Sequence, residues 1–525
     1  MVPATLETLS DALRSAGAEL TAVGGTHLEC RVPAPRIPAL ADGLAKLGVE
    51  LQLLTAADTR DADGAFTLAY VFAPATAGVV ATVLTSVSPG TASFPSLATR
   101  SFAASRFERD IHDLFGVVPV GHPDLRRLAL HQFWPDGYHP LRRDVAARAD
   151  VRDDGQPFPF RRVEGEGIFE ITVGPVHAGI IEPGHFRLSV EGETIVNLET
   201  RLGFVHKGTE KLFETLPFER TWALAERVSG DTAVGHALAY CQALEALGGC
   251  AIPPRAACLR TILLELERLY NHVGDVGMIV NDTGFAFGHA HCFRLREELL
   301  RLNERFAGHR LLRGAVVPGG VAGPCTDADP GALVLAVEVL MQEFAEVAAL
   351  SLDNTMVHER LQGTGRLTTR TAREMQVVGL VGRASGLDAD LRRDAPFAAY
   401  GACEVRVPVV ESGDAWARTV VRIEEVRESV RLIRTVAGHA DGGPAQCALG
   451  PLRPGAQAIG LVEAWRGPIW TWVAAAGPRL LRRVKIVDPS YRNWPALEYA
   501  VLDNIVPDFP LCNKSFNLSY SGNDL

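Results

Sequence analysis

The sequence predicts an α+β, multidomain fold: a small α/β domain first, then a mostly helical domain that opens on a small β-sheet. Three patterns carry that prediction. Before residue 120, apolar and polar side chains alternate with the period of a half-buried strand, interleaved with short helical patterns. From residue 256 on, five long stretches carry apolar side chains at spacings of three and four. Between them, residues 121–163 are rich in proline, arginine and aspartate and show neither period. A chain of 525 residues has room for two or more domains with cores of their own, and an apolar content of 47% is that of a globular protein.

In chain order, Leu6 to Ala16 reads as a short helix, and Leu28–Val32 and Phe66–Phe72 read as strands. Ala104 to Leu114 is a helix stopped by Gly116. The N-terminal domain is taken as 1–120, and 121–163 as an extended linker, since Pro157 and Pro159 oppose helix. The second domain, 164–525, begins with strands at Ile168–Val173 and Phe186–Leu198, the latter turning at Glu191-Gly192-Glu193. Helices are expected over Ala256–Val280, Phe293–Leu312, Leu333–Gln362, Ala372–Val381 and Ala417–Val436. Long helices in succession favour a bundle with its site between facing helices. Arg482 to Ser490 returns to strand and turn.

The bulk numbers exclude several classes. A net charge of −10 argues against nucleic acid as a partner. The nine cysteines form no Cys-x-x-Cys pair, so no zinc ribbon, redox dithiol or iron–sulfur run is visible, and their odd number fits a reducing compartment. Met1 to Gly17 has neither the basic nor the apolar region of a signal peptide. The greasiest stretch, Ala332 to Leu352, is broken by Glu338, Gln342, Glu343 and Glu346 and is not a membrane span.

The stretch Glu226-Arg227-Val228-Ser229-Gly230-Asp231-Thr232-Ala233-Val234-Gly235-His236 stands out. It follows a strand-like run and opens a helix. Ser229, Thr232 and His236, at spacings of three and four, are expected to share one helical face, like the lining of a site. The plainer alternative is a helix start, with Ser229 as cap and Asp231 in the first turn.

This stretch resembles the first metal motif of the nickel–iron hydrogenase large subunits, Glu-Arg-Ile/Val-Cys-Gly-x-Cys with a histidine four residues on. Glu226, Arg227, Gly230 and His236 match; Ser229 and Thr232 hold the cysteine positions. The family's second motif, Cys-x-x-Cys-x-Asp-Arg, falls on Ser519 and Gly522 near the C-terminus. All four thiolates are absent, and neutral hydroxyls are poor ligands for a soft, thiolate-loving centre. Further blocks extend the resemblance over most of 164–525: Gly203 to Lys211, Arg383-Ala384-Ser385-Gly386 with Asp390-Leu391-Arg392 and Tyr400, Val462-Glu463-Ala464 with Arg466-Gly467, and Val484-Lys485 with Pro489-Ser490. Trp465 stands where the family has proline. Phe107 to Gly116, Gly121 to Arg127 and His139 to Asp144 resemble the signature of the C-type subunits of NADH dehydrogenase, a docking module without a cofactor. The run His177-Ala178-Gly179 to Phe186, and the fusion of C-type and D-type modules in one chain, resemble the energy-converting branch: the fused large subunits of hydrogenase 4 and formate hydrogenlyase-type complexes. In lacking the cysteines the chain resembles the energy-converting-hydrogenase-related type.

The resemblance implies a large subunit of a membrane-bound, complex I-like oxidoreductase. Such a subunit takes electrons from an iron–sulfur small subunit holding a 4Fe-4S cluster and couples their transfer to ion translocation by membrane subunits. It implies a quinone-type acceptor, no nickel–iron centre, no cofactor in this chain, and a peripheral place on the cytoplasmic face of the plasma membrane, with a formate or other dehydrogenase as a further partner. His185, Tyr240 and Asp282 match the quinone-pocket pattern of the D-type subunits of complex I and are the expected catalytic residues. A phenol and an imidazole each donate to a quinone oxygen, and a carboxylate orients the imidazole. Ser229, Thr232, His236, Glu463 and Ser519 are expected around the same cavity, Glu463 as a proton-relay carboxylate. Each also has an ordinary reading: a core tyrosine, a turn histidine, a helix-end aspartate, a capped strand. Two other functions remain open. One is a degenerate scaffold joining a dehydrogenase arm to a membrane arm; the other is an active hydrogenase with oxygen ligands.

Overall fold

The computed structural model describes residues 5–145, 151–153, 155–177, 181–440 and 442–525, with the side chains of 22–24 outside the description. The chain divides into two units. The first comprises 1–162, 201–211 and 524; the second comprises 163–200, 212–523 and 525.

The first unit is built on a five-stranded sheet. Helix α1 (Leu6–Ser15) leads into β1 (Glu19–Gly24) and β2 (His27–Arg31); α2 (Ile37–Lys46) leads into β3 (Glu50–Asp58), β4 (Phe66–Ala73) and β5 (Val80–Val87). The sheet order is β1-β2-β5-β4-β3, parallel only where β2 meets β5. Strands β3 and β4 are buried along almost their whole length, so β4 is covered on both faces rather than half-buried as the alternation over Phe66–Phe72 suggests. A short parallel pair, β6 (Ser93–Pro95) with β7 (Val118–Val120), brackets α3 (Phe102–Phe115). Helix α3 ends where expected: Gly116 takes a left-handed φ of 67° and its N–H returns to His112 O. The expected linker, 121–163, holds no helix or strand among its described residues. Residues 121–162 group with the first unit, where the Asp113 carboxylate accepts the N–H groups of Leu128 and Ala129 at 2.7 and 3.0 Å.

The second unit opens on the sheet β8 (Ile168–Val173), β9 (His185–Glu191) and β10 (Thr194–Arg201), in order β10-β9-β8. Helices α4 (Thr209–Thr215), α5 (Thr221–Ala225), α6 (Ala233–Gly248), α7 (Pro254–Asp282) and α8 (Ala286–Ala307) follow. A two-stranded turn, β11 (Val316–Val317) and β12 (Gly320–Val321), leads to α9 (Pro330–Leu352) and α10 (Thr355–Leu361). The single helix expected over Leu333–Gln362 is two, because the Asn354 side chain caps a new start by accepting from Met356 and Val357 N–H. The helix expected over Ala372–Val381 is also two, α11 (Thr369–Glu374) and α12 (Gly379–Arg383). Gln376 turns left-handed, φ 55°, and Asn493 binds both the N–H and the carbonyl of Val378 at 3.0 Å. Then come α13 (Leu391–Asp394) and α14 (Ala415–Ala437), a meander of β13 (Gln457–Glu463), β14 (Pro468–Gly477) and β15 (Leu480–Val487), and α15 (Pro489–Ala500), α16 (Phe509–Phe516) and α17 (Tyr520–Asp524).

Helix α7 is the axis of this unit. It packs on α6, α8, α14 and α16, so it is buried on every side, including Leu259, Leu263, Leu266, Leu269 and Val273. Each such leucine contributes about 2 kcal/mol of burial. Helix α6 lies against β13 closely enough that a Cβ at Gly460 would stand 1.7 Å from Ala239 O, so only glycine fits there. Cys250 and Cys447 are joined by a disulfide across 197 positions, a pairing that nothing in their spacing announces. Among the described residues no helix is long and apolar enough to cross a membrane.

Candidate functional site

The residues that stand at the family's cysteine positions come together, though not as one helical face. Ser229 precedes α6 in a turn closed by Thr232 N–H to Ser229 O at 3.2 Å, and the preceding run is helix α5 rather than a strand. Thr232 is the N-cap position of α6, but its side chain does not cap. The first free N–H groups of α6, at Val234 and Gly235, are taken instead by the Glu267 carboxylate of α7 at 2.7 and 3.0 Å. That releases the local hydroxyls to face Asp231. Its carboxylate accepts Ser229 Oγ at 2.8 Å and Thr232 Oγ1 at 2.9 Å, and Arg466 grips it with two nitrogens at 2.9 and 2.7 Å. Burial alone would raise the Asp231 carboxyl; Arg466 and the two hydroxyls hold it well below the usual carboxylate range.

From the other end of the chain, Ser519 caps α17, its Oγ accepting Gly522 N–H at 2.8 Å. The same oxygen lies 2.7 Å from Ser229 Oγ. Trp465, the departure from the family pattern, donates its indole N–H to Thr232 Oγ1 at 3.0 Å, and the Arg466 guanidinium lies 3.8 Å above its ring. One turn into α6, His236 Nε2 meets Asp488 Oδ2 at 3.0 Å, both nearly fully buried.

Four of these residues form one wall of a cavity of about 300 Å³. Ser229, Asp231, Arg466 and Ser519 line it, with Asp275, Arg296, Lys514 and Tyr520. A nickel–iron centre does not fit this donor set. Ser229 and Ser519 are hydrogen-bonded directly to each other, Thr232 is engaged by Asp231 and Trp465, and Gly522 offers no side chain. Neutral hydroxyls are also the wrong class of donor for such a centre. Among the described residues no three His, Cys, Asp or Glu side chains converge as a metal site. Cys241 and Cys512 are free and buried; burial pushes the Cys512 thiol up to about 12.

Of the residues expected around the cavity, only Ser229 and Ser519 line it. Thr232 and His236 stand behind its wall. Tyr240 is fully buried in an apolar cluster with Leu244, Val473 and Ile486, its ring 4.9 Å from that of Phe213. His185 starts β9, with Nδ1 3.4 Å from Gly174 O. Asp282, the last residue of α7, accepts from Lys514 Nζ at 2.6 Å and so touches the cavity only through that lysine. Residues 178–180 of the quoted His177 run lie outside the described residues.

Glu463 belongs to a different structure. It accepts from Arg383 at 2.8 Å within a buried ionic cluster. Arg383 also binds Glu425 at 2.7 Å; Glu425 binds Arg268 at 3.0 Å and His272 at 2.9 Å. Arg392 binds Asp390 at 2.8 Å and Glu265 at 3.3 Å, and Tyr400 donates to Glu265. Burial raises the Glu463 carboxyl to about 7, with Asp390 adding to it and Arg383 opposing. Asp231, Arg466 and Arg296 were not among the residues expected at the site, although Asp231 and Arg466 lie inside the quoted motifs.

The chain matches the family described as respiratory-chain NADH dehydrogenase, 30 Kd subunit, over residues 30–151, and the 49 Kd subunit family over 282–449. It is 33% identical to formate hydrogenlyase subunit 5 of Escherichia coli K12 over 485 residues, 91% of this chain and 85% of that one. The chain belongs to this family of fused 30 Kd–49 Kd subunits. Hydrogenase-4 component G of the same organism is 34% identical over 435 residues, 82% of this chain and 76% of that one. Among solved structures, a chain of the membrane-bound sulfane sulfur reductase, an archaeal respiratory membrane complex, superposes with a TM-score of 0.64 at 25% identity, covering 69% of this chain and 99% of that one. The fused subunit is therefore the large subunit of a complex I-like, group 4 hydrogenase-related assembly of the membrane-bound respiratory type.

Proposed function

We propose that this large subunit works without nickel, receives electrons from an iron–sulfur partner, and delivers them to an organic acceptor, a quinone head group, in the cavity beside Ser229 and Ser519, while membrane subunits use the energy to move ions. The observation that carries the reading is the direct Ser229–Ser519 hydrogen bond of 2.7 Å at the position of the absent thiolates, beside an open polar space of about 300 Å³. A space of that size and polarity suits a small ligand with a few fixed hydrogen-bonding groups. Reduction of a quinone takes two electrons from the partner's cluster and two protons; hydroxyls on the cavity wall, Ser229, Ser519 and Tyr520, are placed to hand protons on. The solved neighbour named for sulfane sulfur reduction makes a sulfane-sulfur species the competing acceptor.

Gly230 offers a direct test. It lines the cavity, is itself exposed, and a Cβ there meets nothing within 4 Å, so Gly230→Leu adds bulk at the edge of the space without a clash at its Cβ. The purified complex carrying Gly230→Leu is expected to assemble normally and to lose acceptor reduction by about a hundredfold, the scale of a blocked or misplaced substrate. Elemental analysis of the wild-type complex is expected to find nickel far below one per chain. Wild-type rates in Gly230→Leu with both quinone and polysulfide, or about one nickel per chain, would overturn the proposal.

A further inference from the structure

The charges around the cavity are almost all spoken for. Arg466 is held by Asp231 at 2.7 Å, Lys514 by Asp282 at 2.6 Å, and Asp275 by Arg422 at 2.8 Å and Asn517 at 2.6 Å. Among the described residues two lining charges stand outside an ion pair, the Glu182 carboxylate and, on α8, the Arg296 guanidinium. Arg296 is half-buried and makes no hydrogen bond or ion pair among the described residues. Its position is nonetheless built. The stem lies across α7 where Gly274 has no side chain; a Cβ there would stand 2.8 Å from Arg296 Cδ. Its guanidinium sits 5.8 Å from the Tyr270 ring and 6.0 Å from the Phe293 ring. A cation placed against aromatic faces, over a glycine that makes room for it, with no acid partner, has its hydrogen-bonding capacity left for something that enters.

We infer that Arg296 is the anion-pairing residue of this cavity, so that its ligand is an acceptor that carries, or develops during reduction, negative charge on one end. The inference rests on the reading of the cavity as an acceptor site and specifies the acceptor's chemistry. Adding electrons to a quinone carbonyl places negative charge on its oxygen before a proton arrives. A guanidinium offers that oxygen a forked pair of N–H donors, and such charge-assisted bonds are roughly twice as strong as neutral ones. The remaining cavity carboxylate outside an ion pair, Glu182, accepts Ser521 N–H at 3.1 Å and does not neutralise Arg296 through a bond.

The test compares two probes of one shape on the purified complex: lawsone, a hydroxynaphthoquinone that is an anion at neutral pH, and unsubstituted naphthoquinone, which is neutral. Wild type is expected to bind lawsone about tenfold more tightly, the size of one charge-assisted contact. Arg296→Gln should abolish that preference while leaving naphthoquinone affinity within about twofold, and Arg296→Lys should restore part of it. Equal affinities in wild type, or a preference that survives Arg296→Gln, would overturn the inference. An Arg296-dependent preference in a complex that reduces neither probe would uphold the anion site and defeat the quinone-reduction reading instead.

Discussion

The cavity wall and the ionic cluster around Arg383 are made of the same side chains, arginine against carboxylate, yet they end in different states. In the cluster, Arg268, Arg383 and Arg392 are completely buried, and every carboxylate among Glu265, Asp390, Glu425 and Glu463 has at least one arginine within 3.5 Å. At the cavity, Arg466 and Lys514 are paired in the wall while Arg296 has no acid partner among the described residues and stands beside open space. The difference teaches that the count of charges says little about a site. Completeness of pairing separates charges that hold helices together from a charge that is available to a ligand. A closed cluster of this kind adds little net stability, because desolvation offsets the attraction, but breaking it strands a bare charge.

That contrast can be broken most sharply at Arg383. Replacing it by methionine strands Glu463 and leaves Glu425 to Arg268 and His272 alone, and the second unit is expected to lose about 3–5 kcal/mol in denaturant unfolding of the purified complex. A loss below about 1 kcal/mol would mean the cluster is as forgiving as an exposed pair. A smaller effect is expected from pH. The Glu463 carboxyl is raised from its ordinary 4.5 to about 7 by burial. Over that window the folded chain keeps a proton that the unfolded chain has released, so this group's contribution to stability falls as pH rises from about 5 to about 7. Glu463→Gln should flatten that slope in unfolding midpoints measured across the window; an unchanged slope would assign it to another group. The smallest effect is expected at Tyr240, which packs in the apolar core rather than on the cavity. Tyr240→Phe should change turnover less than about twofold and stability by about 1 kcal/mol or less. A hundredfold loss in turnover, the size of a missing transition-state donor, would place the phenol at the acceptor and redraw the border between core and cavity.

What was legible in the sequence was local. The helix expected over Ala256–Val280 lies wholly within α7, the turn at Glu191-Gly192-Glu193 joins β9 to β10, and Gly116 closes α3, because periodicity and glycine placement are written over neighbouring positions. Breaks imposed from a distance were not legible. The interruption between α11 and α12 depends on Asn493, 115 positions away. The meander of β13 and β14 escaped notice; in β14 the run from Ile469 to Val473 is buried continuously, which removes the polar alternation there. The site shows the same divide. The motif positions Ser229 and Ser519 were found, and they do meet, but the salt bridge that organises them joins residues 235 apart. Tyr240 was expected at the cavity because it matches the family's quinone-pocket pattern; it shares a face of α6 with His236 but lies a turn further along, where that face packs into the apolar cluster around Phe213.

Gly522 sets an order on any rebuilding of this wall. A Cβ at that position would stand 2.6 Å from Asp488 Cγ and 3.0 Å from Ser519 Oγ. Asp488 has little freedom to yield, since one oxygen holds His236 and the other accepts Ser490 N–H at 2.7 Å. The space a side chain at 522 would need is taken by a carboxylate already committed to the protein's interior. A side chain introduced at 522 would therefore have to displace Asp488, so Gly522→Cys alone is expected to break the Asp488–His236 contact before it could offer a sulfur to the cavity wall.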